Sequence, residues 1–308
     1  MVLSLQEDFM DKKKLIKLGL AVMMLGSLGM FLYQKNQTIQ SNDAYEHAQQ
    51  IAQIETTAEP ATEAPTETEP ETEAPETEAE IVLYDVWRAV EIEDDPYLEE
   101  MTQTNLMALR ETNEDVVGWI SIPDTKLDYP LMAGTEDDYY LKHTWEKKKS
   151  VAGSIFIENL CSDNLNGFNT VIYGHRMNNG TMFSPLKHYY SQQYYEQHPY
   201  VYIFNHNGAR RYEIFSAYEA KLDGSTYQVG FADETYMQKF IEDCIGYSVI
   251  DTGVVPTLQD KIITLSTCTG LGYSTRWVVQ ARLAGEVVQK EASEVDAKDE
   301  ILGVHEEG

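Results

Sequence analysis

One stretch of this chain can take no part in a core. Residues 56–80 read TTAEPATEAPTETEPETEAPETEAE, a near-repeat of Thr, Glu, Ala and Pro with no apolar side chain larger than alanine. Residues 55–80 hold ten Glu and no Lys or Arg. Such a composition cannot bury enough apolar surface to offset the entropy of ordering it. Repeated Pro and like charge favour an extended chain, and at about 3 Å per residue 25 residues would reach up to roughly 80 Å. The segment therefore divides the sequence. It is expected to be a solvated stalk over 55–80, and any globular domain must lie beside it.

On its N-terminal side, Lys12, Lys13, Lys14 and Lys17 precede an apolar run from Leu18 to Tyr33. Counted from Leu15, the run approaches the roughly 20 residues a bilayer span needs. No small-x-small cleavage pattern follows it closely, so an uncleaved anchor over 15–33 is expected rather than a signal peptide. The lysines predict a cytoplasmic basic tail over 1–14 and an extracellular remainder. Residues 34–54 form a polar juxtamembrane segment compatible with a helix.

On the C-terminal side, the pattern over 81–284 is that of one folded domain. Residues 82–113 read as helical, with a polar helix from about Pro96 to Glu111. Short segments rich in β-branched and aromatic residues follow, bounded by Gly, Pro, Asn or Asp: 116–122, 129–132, 153–157, 170–173, 200–204, 212–222, 262–266 and 277–283. Eight short strands with few helices predict a mainly β fold, an eight-stranded closed barrel. Two helices are expected to interrupt it, at Met182–Tyr190 and from Glu234 to about Ile245. Residues 285–308 carry eight acids against two Lys and are expected to be a frayed acidic tail.

The formal net charge is −28, of which the two acidic flanks supply −10 and −6. This excludes a nucleic-acid partner, which needs a basic patch. The three cysteines, Cys161, Cys244 and Cys268, form no CxxC, and no His stands at ligand spacing from them, so neither a metal nor another cofactor is expected. Cys161 and Cys244 are expected to be small buried hydrophobes.

Cys268 differs by its context, Thr264-Leu265-Ser266-Thr267-Cys268-Thr269-Gly270. A β-run ends in a thiol, a loop over Thr269–Thr275 follows, and Arg276 opens the next strand. If the two strands pair, thiol and guanidinium meet at one barrel end. A thiolate needs a nearby cation or acid/base partner to act as a nucleophile, and an Arg aimed at the same centre can hold an oxyanion. A second segment, YGHRMNNGTMF over 173–183, places His175 just after a strand, at a rim suited to an acid/base imidazole.

TLSTC with an Arg eight residues after the Cys resembles the sortase signature, and YGHRMNNGTMF resembles the class B form of the segment around the catalytic His. The long stretch between Tyr212 and Ile262 with a helix inside it, and the helical segment before the barrel, are also similar to class B. The resemblance spans roughly 85–284. It implies a cysteine transpeptidase that cleaves a C-terminal sorting signal of an exported protein through a Cys thioester and passes the acyl group to an amine. Cys268 would be the nucleophile, His175 its acid/base partner and Arg276 the oxyanion stabiliser, with Ser266 and Thr267 lining the groove under the substrate. The acceptor would be a cell-wall precursor, which makes the enzyme an anchor of surface proteins. Alternatively it would be a pilin amine, which makes it a polymerase of pilins. A papain-like peptidase is disfavoured because it places its Cys on a helix N-terminus ahead of the His. A non-catalytic wall-binding module is disfavoured by the intact Cys-His-Arg set.

Overall fold

The computed structural model describes residues 2–53, 81–84, 95–135, 138–161, 164–269 and 274–289. The acidic run expected as a stalk and the tail beyond Gln289 lie outside these residues.

Among the described residues there are nine strands: β1 (Ile81–Tyr84), β2 (Val116–Ser121), β3 (Asp128–Met132), β4 (Ile155–Ile157), β5 (Asn169–Tyr173), β6 (Tyr200–Asn205), β7 (Gly208–Lys221), β8 (Ile262–Cys268) and β9 (Thr275–Gln289). They run in the order β1-β9-β7-β6-β2-β3-β4-β5-β8, and β8 also pairs with β9. Strands β2 to β9 thus close into an eight-stranded barrel, and closure removes the exposed edges an open sheet would present. The β3–β4 and β5–β8 pairs are parallel; the other pairs are antiparallel. Strand β1 adds to β9 beyond the end of β8, with Ile81 opposite Gln289.

Two expectations are corrected here. Residues 82–84, read as helical, form part of β1. Strand β9 continues four residues past Gly285, where a frayed tail was expected, because β1 and β7 flank its last turns of ladder.

The helices follow local chemistry. Helix α1 is continuous from Val2 to Gln53. The expected helix from Pro96 to Glu111 is two, α2 (Pro96–Thr102) and α3 (Leu106–Thr112). Asp95 caps the first, accepting from the Tyr97 and Leu98 amides, and Asn105 caps the second through the Ala108 amide. A second capping residue nine positions after the first Pro restarts the chain rather than letting it run on. Asp95 also takes the Arg211 guanidinium at 2.8 Å and the Tyr202 hydroxyl at 2.9 Å, which fastens α2 to the barrel. The segment expected as a helix at Met182–Tyr190 is a 3-10 run over Ser184–Tyr190, followed by α4 (Gln192–Gln197). Helix α5 (Glu234–Tyr247) lies in the β7–β8 connection, as the sequence predicts, and is capped by Asp233.

The core has two parts. The barrel interior holds Leu131, Ile172, Leu265, Val279 and their neighbours. A smaller cluster forms where α5 lays Phe240, Ile241 and Cys244 on the outer face of β7, β8 and β9, against Phe215, Tyr218, Ile262 and Val278. Side chains alternate across a strand, so β8 sends Ile263 and Leu265 inward and Ile262 outward. That alternation fixes where Cys268 points.

Candidate active site

Cys268 ends β8 on the same face as Ser266 and Ile262, the outer face. Antiparallel register sets it directly opposite Arg276, the second residue of β9. Directly opposed residues have Cβ atoms about 5 Å apart, so thiol and guanidinium share one rim. The strand ending and strand beginning that the sequence predicts for these two residues are therefore neighbours in space. Both side chains are half-buried.

His175 reaches the same rim from the other side. Strand β5 runs parallel to β8 with Tyr173 opposite Ser266, and the ladder extends through Gly174, whose amide donates to the Ser266 carbonyl at 3.2 Å. The next residue is His175. Gly174 is required there: a Cβ would lie 2.7 Å from the ring of Phe183, which is fully buried. The Phe183 amide donates back to the His175 carbonyl at 2.9 Å, so the loop folds over the glycine and holds the histidine in place.

The imidazole is held at Nε2, which lies 2.8 Å from the Leu141 carbonyl; that oxygen can only accept, so Nε2 carries a proton. The Cys268 thiol stands close enough to the ring for the two groups to shift each other's titration. This contact, more than any other, pushes the His175 pKa up, against burial that pulls it down; the Leu141 carbonyl adds to the rise and Arg276 opposes it. The same contact, first of all, lowers the Cys268 pKa against the effect of burial, with Arg276 and Arg176 contributing. The two shifts move toward a thiolate–imidazolium pair.

The other thiols behave differently. Burial raises Cys161, and burial raises Cys244 to about 11. Cys244 is buried under Tyr218 as expected, whereas Cys161 is half-buried beside the β5 backbone.

Three further groups complete the rim; sequence reasoning missed Leu141 and the partner of Arg176, and expected the stretch from Tyr227 to Ile250 to form a wall of the groove. The Leu141 carbonyl belongs to a 3-10 turn remote in sequence. Arg176 donates from Nη1 to the Thr269 carbonyl, tying the segment after the histidine to the segment after the thiol; a cation immediately after His175 was visible, but its partner was not. Tyr227 bonds Ser266 Oγ at 3.2 Å, and its ring lies 6.3 Å from that of Tyr173, forming an aromatic wall beside the thiol.

Ser266 and Thr267, expected to line the groove, are each 2% exposed. Ser266 does lie on the thiol's face, beneath Tyr227. Thr267 alternates with Cys268 and turns toward the barrel interior. Of the loop between Cys268 and Arg276, residues 270–273 lie outside the described residues. Among the described residues no group of acids, His and Cys could hold a metal ion.

Comparison with known proteins gives one result. The pattern of the family described as "Sortase domain" matches residues 120–284. Sortase B of Listeria monocytogenes is 36% identical over 183 residues, covering 58% of this chain and 73% of the relative. The solved Staphylococcus aureus sortase B–substrate complex superposes with a TM-score of 0.55 at 31% identity, covering 62% of this chain and 85% of the other. Sortase B from B. anthracis superposes with a TM-score of 0.60 at 25% identity, covering 82% of this chain and 98% of the other.

Proposed function

Because this chain belongs to the sortase family, in its class B, we propose that Cys268, His175 and Arg276 carry its reaction as nucleophile, acid/base and oxyanion-stabilising group. The activity is that of a cysteine transpeptidase acting on sorting signals and amines. The observation that supports the residue roles is the meeting of three elements at one rim: Cys268 opposite Arg276 in register, with His175 following the end of the strand paired to β8.

The steps follow from these positions. The Cys268 thiolate attacks the carbonyl carbon of the scissile peptide, forming a C–S bond and an oxyanion. Arg276 offers N–H donors and charge to that oxygen, which stabilises the transition state more than the ground state. The His175 imidazolium gives its proton to the departing amine, the C–N bond breaks, and a thioester remains on Cys268. An incoming amine then attacks the thioester, His175 accepts its proton, and the thiolate leaves. The Leu141 carbonyl keeps the ring oriented through both transfers.

The finer reading is that sorting-signal-bearing surface proteins are joined to a peptidoglycan-precursor amine. Residues 15–33 span the membrane, residues 1–14 face the cytoplasm, and the barrel faces outward. Helix α1 supports this, being long and apolar enough to cross a bilayer over part of its length. A pilin amine remains the alternative acceptor. An amine titration tests the reading. With a cleaved sorting-signal peptide and rising peptidoglycan-type amine, the product should change from free acid to amide by mass spectrometry, while peptide consumption holds or rises. Hydrolysis dominating at every concentration of wall-derived and pilin-type amines alike would make the chain a peptidase.

A further inference from the structure

Helix α1 continues past its apolar run and becomes part of the barrel's body. Residues 22–33 of the apolar run are exposed, but Ala44, Tyr45, Ala48 and Ala52 are buried. Their spacing places them on one stripe of the helix, and that stripe lies against the barrel. The Ala52 carbonyl accepts the Asn105 amide at 3.1 Å, and Gln49 donates to the Asp128 carbonyl at 3.0 Å.

Two sets of contacts lead from this stripe to His175. The first reaches the segment that follows Leu141, whose carbonyl holds Nε2. The Trp145 indole N–H donates to the Ala44 carbonyl at 2.7 Å, and the Tyr45 hydroxyl donates to the Gly153 carbonyl and lies 3.2 Å from Ser154 Oγ. The second set reaches the loop that begins at His175. The Tyr45 ring packs edge-on against Tyr129, with centroids 5.2 Å apart. The Tyr129 hydroxyl accepts the Met182 amide at 3.1 Å, and Asn179 Nδ2 donates to Asn42 Oδ1 at 3.4 Å. Both supports of the imidazole, the carbonyl that receives its proton and the loop that carries its backbone, therefore rest on α1.

Connectivity sharpens the point. The acidic run leaves after the helix has docked and ends where β1 enters the same sheet. From Tyr33 to Ser41 the helix rises only about 12 Å. A spacer between membrane and catalytic body would have to precede the docked stretch, and the acidic run follows it.

We propose that the Ser41–Ala52 stretch of α1, through Tyr45, is a positioning element for the catalytic histidine, and that this docked stretch, rather than the chain between Gln53 and Ile81, fastens the barrel to the apolar part of α1. The positioning half rests on the reading of His175 as acid/base; the fastening half does not. The barrel would then ride close to the membrane, at a fixed orientation to the helix that crosses it.

Two measurements on the full-length chain test this. In the first, a site-specific protease sequence is placed within residues 56–80, and membranes carrying the protein are cut to completion. The barrel fragment should stay with the membranes and keep its turnover, because α1 holds it without the covalent link. Its quantitative release on cutting would overturn the fastening by α1. In the second, Tyr45→Ala and Tyr45→Phe are compared with wild type and His175→Ala, using a fluorogenic sorting-signal peptide and iodoacetamide. Tyr45→Ala should lose about 10-fold to 100-fold in kcat, the scale of a small misplacement at the reacting centre, with little change in KM. Its pH profile of Cys268 alkylation should move toward that of His175→Ala, and Tyr45→Phe, which keeps the ring on Tyr129, should recover part of both. A Tyr45→Ala protein with native near-ultraviolet circular dichroism and wild-type kcat and alkylation profile would overturn the positioning role. Wild-type turnover by His175→Ala would instead overturn the reading beneath it and leave the cutting experiment untouched.

Discussion

Three thiols in this chain meet three environments, and only that of Cys268 favours the thiolate. Cys244 and Cys161 are pushed up by burial, while His175 draws Cys268 down. Replacing Cys268 by Ala should abolish peptide cleavage, whereas Cys244→Ala should leave chemistry intact and cost about 1 kcal/mol of stability from the small cavity. Turnover by Cys268→Ala would contradict the assignment. The pH profile follows from the directions of the two shifts. The active ion pair needs Cys268 deprotonated, so the acid limb falls below the ordinary thiol value of 9.0. It also needs His175 protonated, so the basic limb falls above the ordinary imidazole value of 6.5. A bell results, whose limbs belong to the pair rather than to either residue. In His175→Ala, alkylation of Cys268 should shift to higher pH, and turnover should drop about 10²-fold to 10⁴-fold. Arg276→Lys separates charge from geometry. It should keep the alkylation profile and lose about 10²-fold to 10³-fold in kcat, because the fork that addresses the oxyanion is gone. A near-wild-type kcat would make Arg276 an electrostatic neighbour only. At this scale the sequence made legible that Cys268, His175 and Arg276 stand at strand ends, which the register brings to one rim. The Leu141 carbonyl carries no side-chain signal, and a run of polar residues in a strand does not announce which of them faces inward, as Thr267 does.

At the scale of elements, strands such as β2, β3, β5 and β8 were legible because each is short, rich in β-branched or aromatic residues and bounded by turn residues. Helical boundaries were less so. Pro185 two residues into its segment suits a tight 3-10 run as well as a helix start, and Asn105 caps a new helix where polar periodicity alone suggests one. Strand β1 was hidden because IVLY before a polar stretch reads equally as a helix start, and only pairing with the end of β9 makes it a strand. Asp95 gives the sharpest test of how α2 is held. Its side chain and that of Arg211 are 9% and 8% exposed. Removing the acid in Asp95→Ala leaves a buried guanidinium without its counter-charge, along with a lost cap, and should cost about 3–5 kcal/mol in denaturant unfolding. A loss below about 1 kcal/mol, the worth of an exposed pair, would mean that the contact is solvated.

For the whole molecule, the proposed placement makes a test of its own. If residues 15–33 span the membrane with the lysines before them inside, a phosphatase reporter fused after Gly308 should be active in cells, and one fused after Lys14 inactive. The reverse pattern would contradict the orientation. That residues 116–283 hold a β-rich barrel was legible from composition and turn spacing. The union of residues 41–52 with the barrel was not, because four small or aromatic residues in a polar helix give too narrow a stripe to distinguish a docked helix from a solvated one. The central claim is that the acyl group passes through Cys268, and mass mapping of the acyl-enzyme tests it most directly. After incubation with a panel of sorting-signal peptides and no amine, the acyl mass should appear on the tryptic peptide carrying Cys268 and disappear on addition of an acceptor amine. Finding it on the peptide of Cys161 or Cys244, or finding turnover with no acylated thiol at all, would contradict the account.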